Sequence, residues 1–147
     1  MKRYMFSIIS IINLFFIFKI GTNFFIDYFV MNENIPDGID NIATVGLAGA
    51  AVGMLFFIAN IIFLICIFTR ASKKGIKKIY LNEFFINRKD NLLRNIVRGV
   101  TYLMIIYFII LSFREKHNII SFQFYSLSII SIVIYSIWIN NILRKNA

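Results

Sequence analysis

Residues 42–68 read IATVGLAGAAVGMLFFIANIIFLICIF, 27 consecutive positions without a charged side chain. A helix rises 1.5 Å per residue, so about 20 residues cross the ~30 Å hydrocarbon core of a bilayer. Every backbone amide in lipid must find its partner within the segment, which makes a helix the default. Outward from this stretch, three more apolar segments meet the same length: Tyr4–Met31, Leu92–Phe113 and Ile119–Ile142. None alternates with period two, which excludes a transmembrane β-barrel. The sequence therefore predicts an all-α membrane protein. Its single integral membrane domain, residues 1–147, is an antiparallel four-helix transmembrane bundle with spans at about 4–31, 42–68, 92–113 and 119–142.

Composition agrees. Hydrophobic residues make up 59% of the 147 residues and charged ones 16%, against about 45–50% and about 25% in soluble domains. A soluble fold of this size has too little interior to hide so much Ile and Phe. The abundance of Ile, Asn, Lys, Phe and Tyr points to an AT-rich genome, so Ile and Asn carry little functional weight. Met1-Lys2-Arg3 resembles the basic start of a signal peptide. The apolar stretch behind it is too long, and no small-x-small cleavage site follows, so the first span is read as retained.

The net charge is +9, from 16 Lys+Arg against 7 Asp+Glu. In a soluble protein that balance would suggest nucleic acid; here its distribution orients the chain, and no nucleic-acid partner is expected. Lys2 and Arg3 precede the first span, and Arg144 and Lys145 follow the last. The second connection holds Arg70, Lys73, Lys74, Lys77, Lys78, Arg88, Lys89 and Arg94, while the first holds only Glu33, Asp37 and Asp40. The third is short and mixed, with Arg114 and Lys116. The positive-inside rule then puts both termini and the second connection in the cytoplasm of a cell membrane.

Within that connection, Gly75–Ile86 reads as a short amphipathic helix in the headgroup layer, between spans two and three. Lys73, Lys74, Lys77 and Lys78 repeat at i,i+4 and would meet anionic lipid of the cytoplasmic leaflet. The alternative is a solvated topogenic loop. Arg94 and Arg98, one turn apart, are expected to reach the same headgroups. Trp138, Tyr4, Tyr28 and Tyr125 suit interfacial belts.

Three faces carry polar or small residues. In the second span, Gly49 and Gly53 form a GxxxG pair and Gly46 with Ala50 repeats the spacing, which lets another helix approach closely. Asn60 lies on roughly the same side and is expected to hydrogen-bond across an interface; packing inside the bundle is preferred to dimerisation. In the first span, Lys19, Asn23 and Asp27 follow at i, i+4 and i+8. Either they form a buried polar network in the outer half, since an ionised Lys in hydrocarbon needs a partner or water, or the helix tilts or ends near Gly21 and Lys19 snorkels to water. In the fourth span, Ser121, Ser126, Ser128, Ser131 and Ser136 read as close-packing positions bonding back to the i−4 carbonyl.

Several chemistries lack their residues. Cys66 is the only cysteine, which removes disulfide relays and Cys-based zinc sites. The only histidine, His117, lies in an outer connection, so haem anchoring within a span has no ligand. There is no HExxH and no Gly-rich phosphate loop. Asp27 is too near the outer end to serve as the buried acid of the small four-span multidrug transporters. Glu33, Asp37 and Asp40 lack the ligand spacing of a calcium loop and read as turn and capping residues around Pro36-Asp37-Gly38. No cofactor and no metal is expected.

Phe85-Ile-Asn-Arg-Lys-Asp-Asn-Leu-Leu93-Arg94-Asn-Ile96 resembles the cytoplasmic signature, just before the third span, of a bacterial four-span family, domain of unknown function 2975. Phe85, Leu93, Arg94 and Ile96 fit its spacing. Ile86 and Lys89 depart from it, and the family's acidic C-terminal tail has no counterpart. The resemblance covers about a dozen residues plus the layout. It implies a small bacterial inner-membrane protein without known catalytic residues, often encoded beside a helix-turn-helix regulator. It also implies Phe85 anchored in the interface, and Asp90 or Asn91 capping the third helix.

The expectation for function is a non-enzymatic accessory, regulatory or immunity-type membrane protein acting through anionic lipid, another membrane protein or a small regulator. The alternative is a small transporter or channel subunit with a polar path near Lys19, Asp27 and Asn60.

Overall fold

The computed structural model describes residues 1–32, 39–86, 90–114 and 118–144. Glu33, Asp37, the Pro36-Asp37-Gly38 turn, Arg88, Lys89, Lys116, His117 and Lys145 lie outside the described residues. Four helices carry the chain: α1 (Arg3–Asn32), α2 (Ile39–Lys73), α3 (Leu92–Arg114) and α4 (Ile119–Arg144). All four are long and apolar enough to cross a membrane. The protein is an all-α, multi-pass membrane bundle.

Neighbouring helices run antiparallel, and the contacts fix their register. Phe18 meets Phe57 and Gly53 meets Thr22 between α1 and α2. Phe6 meets Trp138 and Phe24 stacks on Phe124 between α1 and α4. Thr101 meets Ser136 and Phe108 meets Tyr125 between α3 and α4. α4 is the hub: half of its most apolar window is buried inside the protein, against 17–28% for the other helices. It packs on α1 and α3 and more lightly on α2. Met1 and Arg144 lie at one end of the bundle, called basal here; the other end is distal.

The large apolar side chains left exposed, such as Ile8, Ile12, Phe15, Leu55, Ile62, Leu103 and Ile110, face outward as lipid-facing side chains should. The inward faces carry many small polar groups instead. Buried Ser128 and Ser131 each donate to the carbonyl four residues back, as the more exposed Ser126 does on another side of the helix. Ser131 also accepts from Asn13 Nδ2 at 2.6 Å, tying α4 to α1.

The connection after α2 departs from the predicted basic helix over Gly75–Ile86. α2 itself runs five residues past Phe68, since Ile67 and Ala71 are buried in the core. It then stops at Gly75, whose φ of 59° is the left-handed conformation that glycine adopts without a Cβ clash. Gly75 N–H donates to Ser72 O and Ile76 N–H to Ala71 O, a Schellman cap. Beyond it, residues 76–80 form an extended strap and only Leu81–Phe84 wind into a 3-10 turn. Helix is disfavoured because Lys73/Lys77 and Lys74/Lys78 would repeat like charge at i,i+4. The extended form gains a bridge to the chain start instead. Arg3 N–H donates to Lys77 O, Ile79 N–H to Met1 O, and the Met1 nitrogen to Ile79 O.

Candidate functional site

The basal end is built around Trp138, which is fully buried rather than set in an interfacial belt. Its ring touches Phe6 and Phe68, and its Nε1–H donates to Ser10 Oγ at 3.0 Å. Phe6, Ile67, Ala71, Ile134, Ile137 and Ile142 complete this core, and the strap contributes Ile76 and Ile79. Burying those two side chains turns Lys77 and Lys78 outward.

Asn141 on α4 locks the strap in place. Its Oδ1 accepts from Tyr80 N–H at 2.9 Å, and its Nδ2 donates to Tyr80 O at 3.0 Å. One side-chain amide thus replaces a β-partner for the strap. Lys74 Nζ donates to Ile142 O at 3.1 Å, in the last turn of α4, where a cation also complements the helix dipole.

Next to the strap lies a buried ionic cluster. Glu83, in the 3-10 turn, accepts from three guanidiniums: Arg94, Arg98 at 2.8 Å and Arg144 at 3.0 Å. Asp90 accepts from Arg94 at 2.8 Å and Arg98 at 2.6 Å. Arg98 further donates Nε–H to Glu83 O at 2.7 Å and an Nη1–H to Asn95 Oδ1 at 3.1 Å. Three arginines against two acids leave the cluster formally cationic. Asp90 is held below its usual carboxylate range chiefly by the Arg98 hydrogen bond; burial opposes this, and the charges of Arg94, Arg98 and Arg144 add to it.

This corrects the headgroup assignment of Arg94 and Arg98. They are 6% and 1% exposed, because two acids and a backbone carbonyl beneath them offer better partners than lipid does. Asp90, expected as a possible cap of the third helix, gives its carboxylate to the two arginines. Glu83 escaped the sequence reading altogether. A usable signal existed: Glu83 and Asp90 are the only acids between Asp40 and Glu115, and Asp90, Arg94 and Arg98 repeat at i,i+4.

The exposed cations gather around the strap. Lys2, Arg3, Tyr4, Gly75, Ile76, Lys77 and Lys78 line a cleft of about 500 Å³ on its α1 side. Lys77, Lys78, Tyr80, Asn141 and Arg144 line another of about 400 Å³ on its α4 side. Arg144 lies 4.1 Å over the Tyr80 ring. Lys73 is exposed on the last turn of α2, outside both clefts.

The other sequence-derived residues are dispersed. Gly49 sits where an added Cβ would lie 2.6 Å from Phe25 O and 2.8 Å from Ile26 Cα, and Gly53 where it would lie 3.3 Å from Thr22 Cα. Those two glycines pack α2 against α1. Gly46 has no atom within 4 Å of such a Cβ among the described residues, and Ala50 is half-buried. Asn60 accepts from Tyr135 O–H at 2.9 Å, joining α2 to α4. Helix α1 does not end near Gly21. Lys19 and Asn23 are exposed on its outer side and Asp27 is half-buried, with no ion pair between Lys19 and Asp27 among the described residues. The interior network drawn through these three is not assembled, because α1 turns that stripe away from α4.

Comparison with protein-family models, with curated proteins and with solved structures gives no match.

Proposed function

We propose that this chain is a non-enzymatic accessory protein of a bacterial cell membrane, with its basal end in the cytoplasm and its action exerted through partners there. One observation carries the reading: residues 76–84 of the second connection are folded down as a fixed cationic face rather than left as a loose loop. The strap is bridged to residues 1–3, clamped by Asn141 and backed by the Glu83 cluster. Such preorganisation lowers the ordering cost of binding something at that face. Protection of the cell against a membrane-active toxin is one concrete form of the role. The orientation rests on the cation-rich basal segments. The resemblance of Phe85–Ile96 to a regulator-linked family points the same way without carrying the argument.

A small transporter is the rival. It requires Lys19, Asp27 and Asn60 along one route, whereas Lys19 faces outward and Asn60 is engaged by Tyr135. Two measurements test the proposal. Reporters fused to the two chain ends should both read cytoplasmic. Purified protein in sealed vesicles should carry no solute or proton flux that Lys19→Leu abolishes; such a flux would overturn the accessory role.

A further inference from the structure

Five cations from three separate parts of the chain converge on the strap: Lys2 and Arg3 from the start of α1, Lys77 and Lys78 from the strap, and Arg144 from the end of α4. No acid lines either cleft among the described residues. Of the five, Arg144 already has an anion, Glu83, which is buried and shared with Arg94 and Arg98. Like charges lining one cleft repel one another, and the buried Ile76 and Ile79 fix only the outward direction of Lys77 and Lys78, not their charge. The arrangement is costly without an anion and favourable with one.

The larger cleft also has the architecture of a membrane interface. Its floor includes buried Ile76, and its rim includes exposed Tyr4. Directly along α1 the exposed surface continues as Met5, Ile8, Ile9 and Ile12, an apolar row suited to acyl chains. A phosphate placed among Lys2, Arg3, Lys77 and Lys78 would thus have hydrocarbon immediately on one side and water on the other. Soluble phosphate uses only the cations; a phospholipid uses the cations and the row.

We infer that the cleft between the start of α1 and the strap is a binding site for the phosphate headgroup of an anionic phospholipid, held by Lys2, Arg3, Lys77 and Lys78. The inference deepens the accessory reading by naming one partner of its cationic face. It also redraws the lysine set: Lys77 and Lys78 belong to the site, Lys74 caps α4, and Lys73 stands outside.

The test measures lipid selectivity in phosphatidylcholine vesicles containing the full-length protein and spin-labelled phosphatidylglycerol. Two double variants each remove two exposed charges. Lys77→Gln with Lys78→Gln removes two of the cleft's four cations, and Arg70→Gln with Lys73→Gln removes charge from the neighbouring helix turn. Near an anionic surface a basic side chain contributes several-fold in affinity, so the cleft variant should lower the relative association constant for phosphatidylglycerol about tenfold or more. The control should lower it less than about threefold, as screened surface charge does. All four side chains point outward, so the thermal midpoint in detergent should hold for both variants. Equal losses in the two variants would overturn the site in favour of diffuse attraction. Displacement of the labelled lipid by inorganic phosphate would overturn the lipid assignment. Because selectivity is read without any cellular phenotype, its failure leaves the accessory role standing, and a Lys19-dependent flux would sink that role without touching selectivity.

Discussion

The two ends of the bundle solve the same problem by different chemistry. Helices in lipid gain little from burying apolar surface against one another, because the lipid is equally apolar; close packing and polar bonds must hold them. At the distal end, α1 and α2 approach until Gly49 touches the backbone of Phe25 and Ile26, and rings fill the rest, with Phe24 stacked 4.2 Å from Phe124. At the basal end the joints are hydrogen bonds and ion pairs, made by Ser10, Asn141, Glu83 and Asp90 with their partners. A joint of shape keeps two helices together and asks nothing of the loops. A joint of charge can recruit a loop, and here it fixes the strap and the 3-10 turn against α4.

The largest expected effect lies in the basal joint. Glu83→Ala would leave Arg94, Arg98 and Arg144 facing one another with only Asp90 to share. Removing one partner of a buried ion pair costs about 3–5 kcal/mol, and Glu83 serves two buried cations, Arg94 and Arg98, besides the exposed Arg144. Thermal unfolding in detergent should show a large drop in midpoint, with residues 75–86 becoming susceptible to protease before the helices melt. Glu83→Ala as stable as wild type would mean that the cluster is not what secures the strap, and the contrast between the ends would fail.

The distal joint breaks on a single methyl group. Gly49→Ala places a Cβ 2.6 Å from a backbone oxygen that cannot swing aside; overpacking of this kind costs about 1–3 kcal/mol. Gly46→Ala, three residues away in the same small-residue run, meets nothing within 4 Å among the described residues, and alanine's helix propensity should make it neutral or slightly stabilising. Refolding equilibria of the two variants should therefore differ in sign or nearly so. Equal effects would mean that the run acts through flexibility rather than close approach.

That pair marks where the sequence was legible. Length and hydropathy specify the four spans because each crossing is a local property of about twenty residues. GxxxG spacing marked a face of α2 for close approach without naming its partner, and spacing alone could not tell Gly49 from Gly46, since the difference depends on where α1 crosses. Charge gave less. Lys73, Lys74, Lys77 and Lys78 look alike in sequence, but a helix cap at Gly75 and a bridge to Met1 and Arg3 sort them into one α4 cap, two cleft residues and one bystander. Arg94 and Arg98 read as headgroup contacts although Asp90 stands one and two turns before them; the second acid, Glu83, is brought in by a 3-10 turn whose position no local pattern announces. For Lys19 the sequence left two readings open, a buried network with Asp27 or a side chain reaching water, because the outward side of α1 is set by its packing on α2 and α4.

The smallest effect is a titration, and it sharpens the comparison because only one end should respond. Asp90 titrates below its usual value of 3.8, chiefly through the Arg98 hydrogen bond. The native state therefore gives up this proton more readily than the unfolded chain does. The stabilisation is complete above the unfolded value and is lost as pH falls through the depressed native one. Between neutral pH and about pH 5, stability should be insensitive to this group; below its ordinary value, the midpoint should fall as the Asp90 bonds to Arg94 and Arg98 weaken. Asp90→Asn should remove that part of the acid slope and lower stability modestly at neutral pH, whereas Gly49→Ala should keep the wild-type slope. A slope unchanged in Asp90→Asn would assign the acid sensitivity to another carboxylate and leave the Asp90–Arg98 bond without a role in it.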